Sequence, residues 1–173
     1  MASLARALPV SDVLWRPLAA GDIAYVAALE AQIHAAPWTS GNFRDAIATG
    51  YHACVGEYQN RIVAYGILML APGEAQVLNL SVVPDWRRHG FARALLRRFI
   101  AVAVGRGAGP IFLEVRAGNT AAIRLYEVEG FLPVARRTAY YPGAEPAAPR
   151  EDALVMRLPL GPGSTVEAVD DAR

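Results

Sequence analysis

Residues 77–115 constrain this chain more than any other stretch. VLNLSVVPDW (77–86) is an apolar run with strand character that stops at Pro84. RRHGFARALL (87–96) carries two arginines and one glycine into a helical pattern, and PIFLEV (110–115) is a strand again. A strand, a helix and a strand in succession imply one parallel pair. The flanking segments point the other way. YHACVGEY (51–58) and RIVAYGILML (61–70) are β runs joined by Gln59 and Asn60, the spacing of a hairpin, and VLWRPL (13–18), FLPVARR (131–137) and EDALVMRLPL (151–160) add three more strands. Helices are expected over GDIAYVAALEAQIHAA, capped by Asp22 and with Ile23, Val26, Ala27, Glu30 and Ile33 marking its period, over TSGNFRDAIATG, capped by Thr39 or Ser40, over 92–104 and over NTAAIRLYEVEG. The expected fold class is therefore α+β, with about four helices and a mixed, mostly antiparallel sheet of about seven strands.

A chain of 173 residues suits one domain, taken as residues 13–160, between a loose N-terminal arm (1–12) and a disordered tail (161–173). No apolar run reaches the roughly 18 to 20 residues that span a bilayer, and MASLARALPV lacks the core of a secretory signal. Cys54 is alone, so no intrachain disulfide forms; a cytoplasmic location is expected, and Cys54 reads as a buried strand residue rather than a nucleophile. All 17 basic residues are arginine. Residues 1–160 hold 16 of them against 13 acidic residues, a charge of +3, too mild for a nucleic-acid binder, and no aromatic residues interleave with the basic ones. His34, His52 and His89 fall in different elements with no metal-ligand spacing, so no metal is expected.

The arginines cluster instead around 87–98, which suits a compact anion. A helix that starts behind a glycine turn presents backbone N–H groups with no partner of their own, at the positive end of its dipole. Gly90 lets backbone approach an anion, Ala92 keeps the first turn narrow, and Arg87 and Arg88 add charge, so a pyrophosphate is a fitting guest. The plainer alternative is a solvated arginine face with Gly90 shaping a turn. Neither G-x-x-x-x-G-K-[ST] nor G-x-G-x-x-G occurs.

VVPDWRRHGFARALL (82–96) resembles the acetyl-CoA signature [QR]-x-x-G-x-[GA] of the GNAT acetyltransferase superfamily, with Arg87, Gly90 and Ala92 in its fixed positions. PWTSGNF (37–43), LEVRAGNTAAIRLYEVEGF (113–131), RTAYYP (137–142) and EDALVM (151–156) extend the likeness to the RimI-type ribosomal-protein alanine N-acetyltransferases. The resemblance implies a sheet whose parallel strands splay around acetyl-CoA as co-substrate. Leu80, Ser81 and Val82 would bind its pantetheine through their backbone, and Arg87, Arg88, His89, Gly90, Phe91, Ala92 and Arg93 would surround its pyrophosphate. Asn119 would reach it from the next helix start, though an Asn there also reads as a plain N-cap.

The same resemblance implies Glu114 as base and Tyr126 as acid. Read alone, Glu114 shares a strand face with Phe112 and Arg116 and suits a surface pair with Arg116, and Tyr126 suits a core position. Trp38, Tyr140 and Tyr141 would wall the acceptor channel in loops, with packing at a helix corner open for Trp38 and help from Glu151 and Asp152 open for the amine. The implied acceptor is the N-terminal amine of a protein, a ribosomal protein beginning with alanine. At pH 7 an α-amine costs only about 1 to 1.4 kcal/mol to deprotonate, a lysine about 4.6. A small amine or an internal lysine is the alternative acceptor, and a non-catalytic acyl-CoA sensor ranks below both because it needs neither Glu114 nor Tyr126. The proline-rich PGAEPAAPR loop departs from the family pattern and bears on acceptor choice.

Overall fold

The structure, a computed structural model, describes residues 10–143, 145 and 147–161 of the chain. The expected arm before Val10 and the tail beyond Gly161 lie outside the described residues. Val10–Asp12 forms a single 3-10 turn, and the Val10 side chain packs against the core.

The elements run β1 (Leu14–Pro17), α1 (Ile23–Ile33), α2 (Ser40–Ala48), β2 (His52–Tyr58), β3 (Arg61–Ala71), β4 (Glu74–Val82), α3 (Phe91–Gly105), β5 (Ile111–Arg116), α4 (Thr120–Val128), β6 (Leu132–Tyr141) and β7 (Glu151–Leu158). One seven-stranded sheet has the order β1-β2-β3-β4-β5-β7-β6, and β4 and β5 are its parallel pair. This is the α+β architecture that the sequence leads one to expect. No helix among the described residues is long and apolar enough to cross a membrane.

Local chemistry accounts for the boundaries. Gln59 and Asn60 have φ of 49° and 60°, the left-handed pair that a two-residue hairpin turn demands and that Asn tolerates best after Gly. Thr39 caps α2: its Oγ1 accepts from the Asn42 amide at 3.3 Å while Asn42 Oδ1 accepts from the Thr39 amide at 2.8 Å. Asp22 does precede α1, but its carboxylate makes no bond to that helix. It accepts from Arg16 Nη1 at 2.6 Å and from the Ala19 amide at 2.9 Å, because the chain enters α1 through the 3-10 turn Ala20–Asp22.

Two apolar clusters sandwich the sheet. Leu95, Leu96, Phe99 and Ala103 of α3 lie on one face with Phe131 and Met156. Val26 and Leu29 of α1 and Phe43 of α2 lie on the other, with Tyr65 and Ile67 of β3. Leu95, Leu96 and Phe99 are fully buried, each worth roughly 1.5–3 kcal/mol of transfer free energy, enough to fix α3 against β3 and β4. Cys54 is buried as expected, and burial pushes its thiol up to about 11, so it stays protonated.

The last hairpin corrects one expectation. The strand after Gly130 does not end at Arg137 but runs to Tyr141, so Tyr140 and Tyr141 stand on a strand and not in a loop. An irregularity at Ala139, with φ of 50°, is bridged by Asp152, whose Oδ1 accepts from the Ala139 amide at 2.8 Å, and pairing resumes at Tyr141 opposite Glu151.

Candidate active site

The parallel pair is short. Ala75, Gln76 and Val77 pair with Ile111, Phe112 and Leu113, and there the β4–β5 ladder stops. Against β3, Ile67 lies opposite Asn79 but Leu68 lies opposite Val77, so Leu78 is an extra residue in β4. A bulge bends its strand and breaks the alternation of side chains. Ala75 and Val77 belong to the α3 face, whereas beyond the bulge Asn79 and Ser81 turn toward α1, leaving Leu80 and Val82 toward α3. The two strands part from this point, and the cleft between them is lined by Leu80 and Ser81 on one side, Glu114 and Arg116 on the other, with Asn119, Tyr126 and Tyr141 beyond. Past Val77 the edge of β4 that faced β5 pairs with no strand among the described residues, which fits the amides of an extended guest.

β4 leads through the turn Pro84–Trp86 to α3. Gly90 stands at the helix N-cap with φ of 85°, and among the described residues no side chain bonds the first-turn amides. The first intrahelical bond runs from the Ala94 amide to the Gly90 carbonyl at 3.0 Å, so the amides of Phe91, Ala92 and Arg93 precede it. That end fits a phosphate. The side chains around it divide in a way the sequence does not disclose. Arg87 Nε donates to the Val82 carbonyl at 3.3 Å, bracing the end of β4. His89 Nδ1 donates to the Arg87 carbonyl at 2.8 Å and its ring stacks on buried Phe91. Arg88 holds left-handed backbone, with φ of 67°. The Arg93 side chain bonds Glu129 after α4, as Arg97 does at 2.8 Å, and Arg98 lies 5.4 Å above the Trp15 ring. The arginine cluster of the sequence is thus partly a clamp between α3 and the end of α4.

Glu114 alternates out of the core on β5, between buried Leu113 and Val115. It pairs not with Arg116 but with Arg137 of β6, Nε to Oε1 at 2.9 Å, and its carboxylate raises the pKa of the Tyr140 phenol. Arg137 lies over the Tyr140 ring. Arg116 is taken by Glu151 at 3.1 Å and by the Tyr141 ring, and Glu151 also accepts from the Gly118 amide at 2.7 Å. Asp152 is held by Arg136 at 2.7 Å. Glu151 and Asp152 therefore fasten the hairpin. Asn119 caps α4, its Oδ1 accepting from the Ala122 amide at 3.2 Å, and lines the cleft as well. Trp38 packs on Phe43 with ring centroids 5.3 Å apart and lines the cleft too.

Tyr126 is 8 % exposed, tilted against Phe131, with its place in the cleft wall. Burial, with Tyr141 adding to it, pushes the phenol up to about 12. It stays protonated at any physiological pH. Complete transfer of its proton to a thiolate of ordinary pKa near 8.5 would be uphill by about 5 kcal/mol, so hydrogen bonding a leaving sulfur is what this phenol does most readily. Glu114 opposite it supplies a carboxylate to which an ammonium can lose a proton.

A second carboxylate escaped the sequence reading. Glu30, counted only as part of the apolar period of α1, is 2 % exposed. Its Oε2 accepts from the Tyr65 phenol at 2.6 Å, and its Oε1 accepts from Asn79 Nδ2 at 3.0 Å and from the Trp38 amide at 3.3 Å. His34, one turn on, has Nε2 2.8 Å from Ser81 Oγ and 3.6 Å from Glu30 Oε2. Both line the cleft. The available signal was a charged residue on the buried stripe of a helix, where charge needs partners. Among the described residues no cluster of three or more His, Cys, Asp or Glu has metal-binding geometry.

A model of the acetyltransferase (GNAT) family matches residues 22–131. The ribosomal protein bS18-alanine N-acetyltransferase of Escherichia coli K12 is 37% identical over 132 residues, covering 76% of this chain and 87% of that one. The enzyme of the same description from Haemophilus influenzae is 33% identical over 128 residues, covering 74% and 86%. The crystal structure of the E. coli ribosomal-protein-S18-alanine N-acetyltransferase superposes with a TM-score of 0.79 at 32% identity, over 90% of this chain and 99% of that one. The parted strands, the glycine-led helix and these relatives agree: the chain is an N-acetyltransferase and belongs to the GNAT acetyltransferase family.

Proposed function

We propose that this enzyme takes the acetyl group from acetyl-CoA and transfers it to the α-amine at the N-terminus of a protein, with a ribosomal protein beginning with alanine as the favoured acceptor. The observation that carries this reading is that Glu114 and Tyr126, on different elements, line one cleft that opens where β4 and β5 part. In it, the backbone of Leu80, Ser81 and Val82 binds the pantetheine arm. The amides of Phe91, Ala92 and Arg93, behind Gly90 and with Arg87, Arg88 and His89 around them, hold the diphosphate end, and Asn119 borders the arm from α4. Glu114 takes a proton from the acceptor ammonium, and Tyr126 hydrogen-bonds the departing sulfur. Trp38, Tyr140 and Tyr141 border the acceptor. The relatives that act on an alanine N-terminus support the choice of amine. So does magnitude, since a single carboxylate manages the roughly 1 kcal/mol of an α-amine more easily than the about 4.6 kcal/mol of a lysine.

The test is mass spectrometry of products after incubation with acetyl-CoA and a panel of ribosomal-protein N-terminal peptides. Acetyl on the free α-amine of the alanine-led peptide is expected. Preference for internal lysines or polyamines overturns the acceptor assignment.

A further inference from the structure

We propose that His34 is the group through which the acceptor amine's proton leaves the cleft, and that Glu30, through Ser81, is the residue that positions it. The inference rests on the acetyl transfer to an amine proposed above. Forming the C–N bond to an ammonium and breaking the C–S bond leaves an amide and a thiol. Of the two protons the nitrogen loses, the thiol keeps one and solvent must receive the other. Glu114 can accept that proton, but it sits beneath Arg137 and Tyr140 and its side chain is 16 % exposed. His34 lines the same cleft with 40 % of its side chain exposed, so it touches both the site and bulk water.

The surroundings of Ser81 assign the tautomer. Its hydroxyl has one proton and two neighbouring oxygens that can only accept, Glu30 Oε2 at 3.4 Å and Asn79 Oδ1 at 3.1 Å. Were that proton given to His34, the Ser81 oxygen would face both with lone pairs. Donated to either oxygen, it leaves Ser81 Oγ as acceptor for His34 Nε2–H at 2.8 Å. Nδ1 then carries the lone pair, and no described residue bonds it. Glu30 is itself immobile, held by Tyr65 of β3, Asn79 of β4 and the Trp38 amide. Burial depresses the imidazolium below its ordinary range; Glu30 opposes this, while Arg87 after β4 and Arg116 of β5 add to it. Glu151 holds that Arg116, and Glu114 is the remaining charged group of the cleft wall. The result is an imidazole that is neutral at pH 7 and is stabilised by a carboxylate 3.6 Å away when it gains a proton.

The decisive experiment is chemical rescue combined with a pH profile, using an alanine-led peptide. His34→Ala is expected to slow acetylation by roughly 10² fold, the low end for a proton-transfer group because Glu114 remains, without raising the KM for acetyl-CoA. Millimolar imidazole should restore much of the rate and leave the native enzyme unchanged. Glu30→Gln removes the charge that favours the imidazolium, so the acidic limb of kcat/KM should move to lower pH by roughly one unit. With one peptide in both arms the amine's own titration cancels. Ser81→Ala, a smaller perturbation, should slow the reaction if Glu30→Gln fails to fold. A His34→Ala enzyme at native rate, or a slow one indifferent to imidazole with the limb unmoved in Glu30→Gln or Ser81→Ala, overturns the proposal. If the native enzyme ignores the peptide and acetylates a lysine or polyamine, the acceptor reading falls, and rescue measured on that amine decides the role of His34.

Discussion

Glu30 and Glu114 face one cleft from opposite walls and are held in opposite ways. Glu30 lies on the α1 and β4 wall, almost wholly buried, and its fixed partners are neutral donors of the core. Glu114 lies on the β5 and β6 wall, where its ionic partner Arg137 is 55 % exposed. An arginine on an open strand can be exchanged for another cation at little cost, since exposed ion pairs contribute about 0–1 kcal/mol. A phenol, an amide and a backbone N–H packed in a core cannot. The same carboxylate chemistry thus becomes a fixed element of structure on one wall and an exchangeable acceptor on the other, and the difference lies in the neighbours, not in the residue.

The largest effect is expected where the walls have a common anchor, the mouth of α3. Gly90→Glu places a side chain on backbone at φ 85°, which costs roughly 1–2 kcal/mol, and brings a negative charge to amides that would bind a diphosphate. Calorimetry should detect no acetyl-CoA binding while both carboxylate networks keep the fold; micromolar affinity in the variant would remove this helix end from the site. Next come Glu114→Gln and Tyr126→Phe. Each should lower turnover by roughly 10² to 10⁴ fold with an unchanged melting curve. Native rates in both variants would mean that the exchangeable wall does no chemistry.

Much of this was legible beforehand, and the parts that were not share a cause. The strand, glycine turn, helix and strand of 77–115 announce the parallel pair because the signal is local: periodicity, a proline stop, a glycine. The Gln59–Asn60 hairpin and the Thr39 cap are legible for the same reason. The bulge at Leu78 is not, since adjacent apolar residues such as Val77 and Leu78 are ordinary in a buried strand and only the register against β3 shows that it is out of step. Without the bulge Asn79 and Ser81 could not be seen turning to α1, and so Glu30 had no visible partner. The fate of the arginines failed likewise. Arg93 and Arg97 meet a glutamate more than 30 residues on, and Arg137 crosses from β6 to β5 to reach Glu114, pairings that depend on tertiary contact alone.

The contrast between the walls should also appear as stability. Glu30→Ala orphans the Tyr65 phenol and the Asn79 amide in the core, at about 1–3 kcal/mol each. Relief of the buried carboxylate's own desolvation offsets a part. A net loss of about 2–4 kcal/mol, or a Tm lower by roughly 5 to 15 °C for a chain of this size, is expected. Glu114→Ala should cost under about 1 kcal/mol. Equal losses in the two variants would erase the distinction.

The smallest effect is the most discriminating. Arg137→Met keeps the length of the side chain over Tyr140 but removes the cation that an incoming ammonium must displace from Glu114. Stability should change by less than about 1 kcal/mol. If Arg137 merely occupies Glu114 until substrate arrives, its removal should lower the peptide KM by up to about fivefold at low ionic strength, and the gain should shrink as salt screens the competing charges. If instead the guanidinium aims the carboxylate, the variant will lose turnover to nearly the degree of Glu114→Gln and salt will matter little. That second outcome would make the β5 and β6 wall as fixed as the wall of Glu30, with a cation doing on one side what neutral donors do on the other.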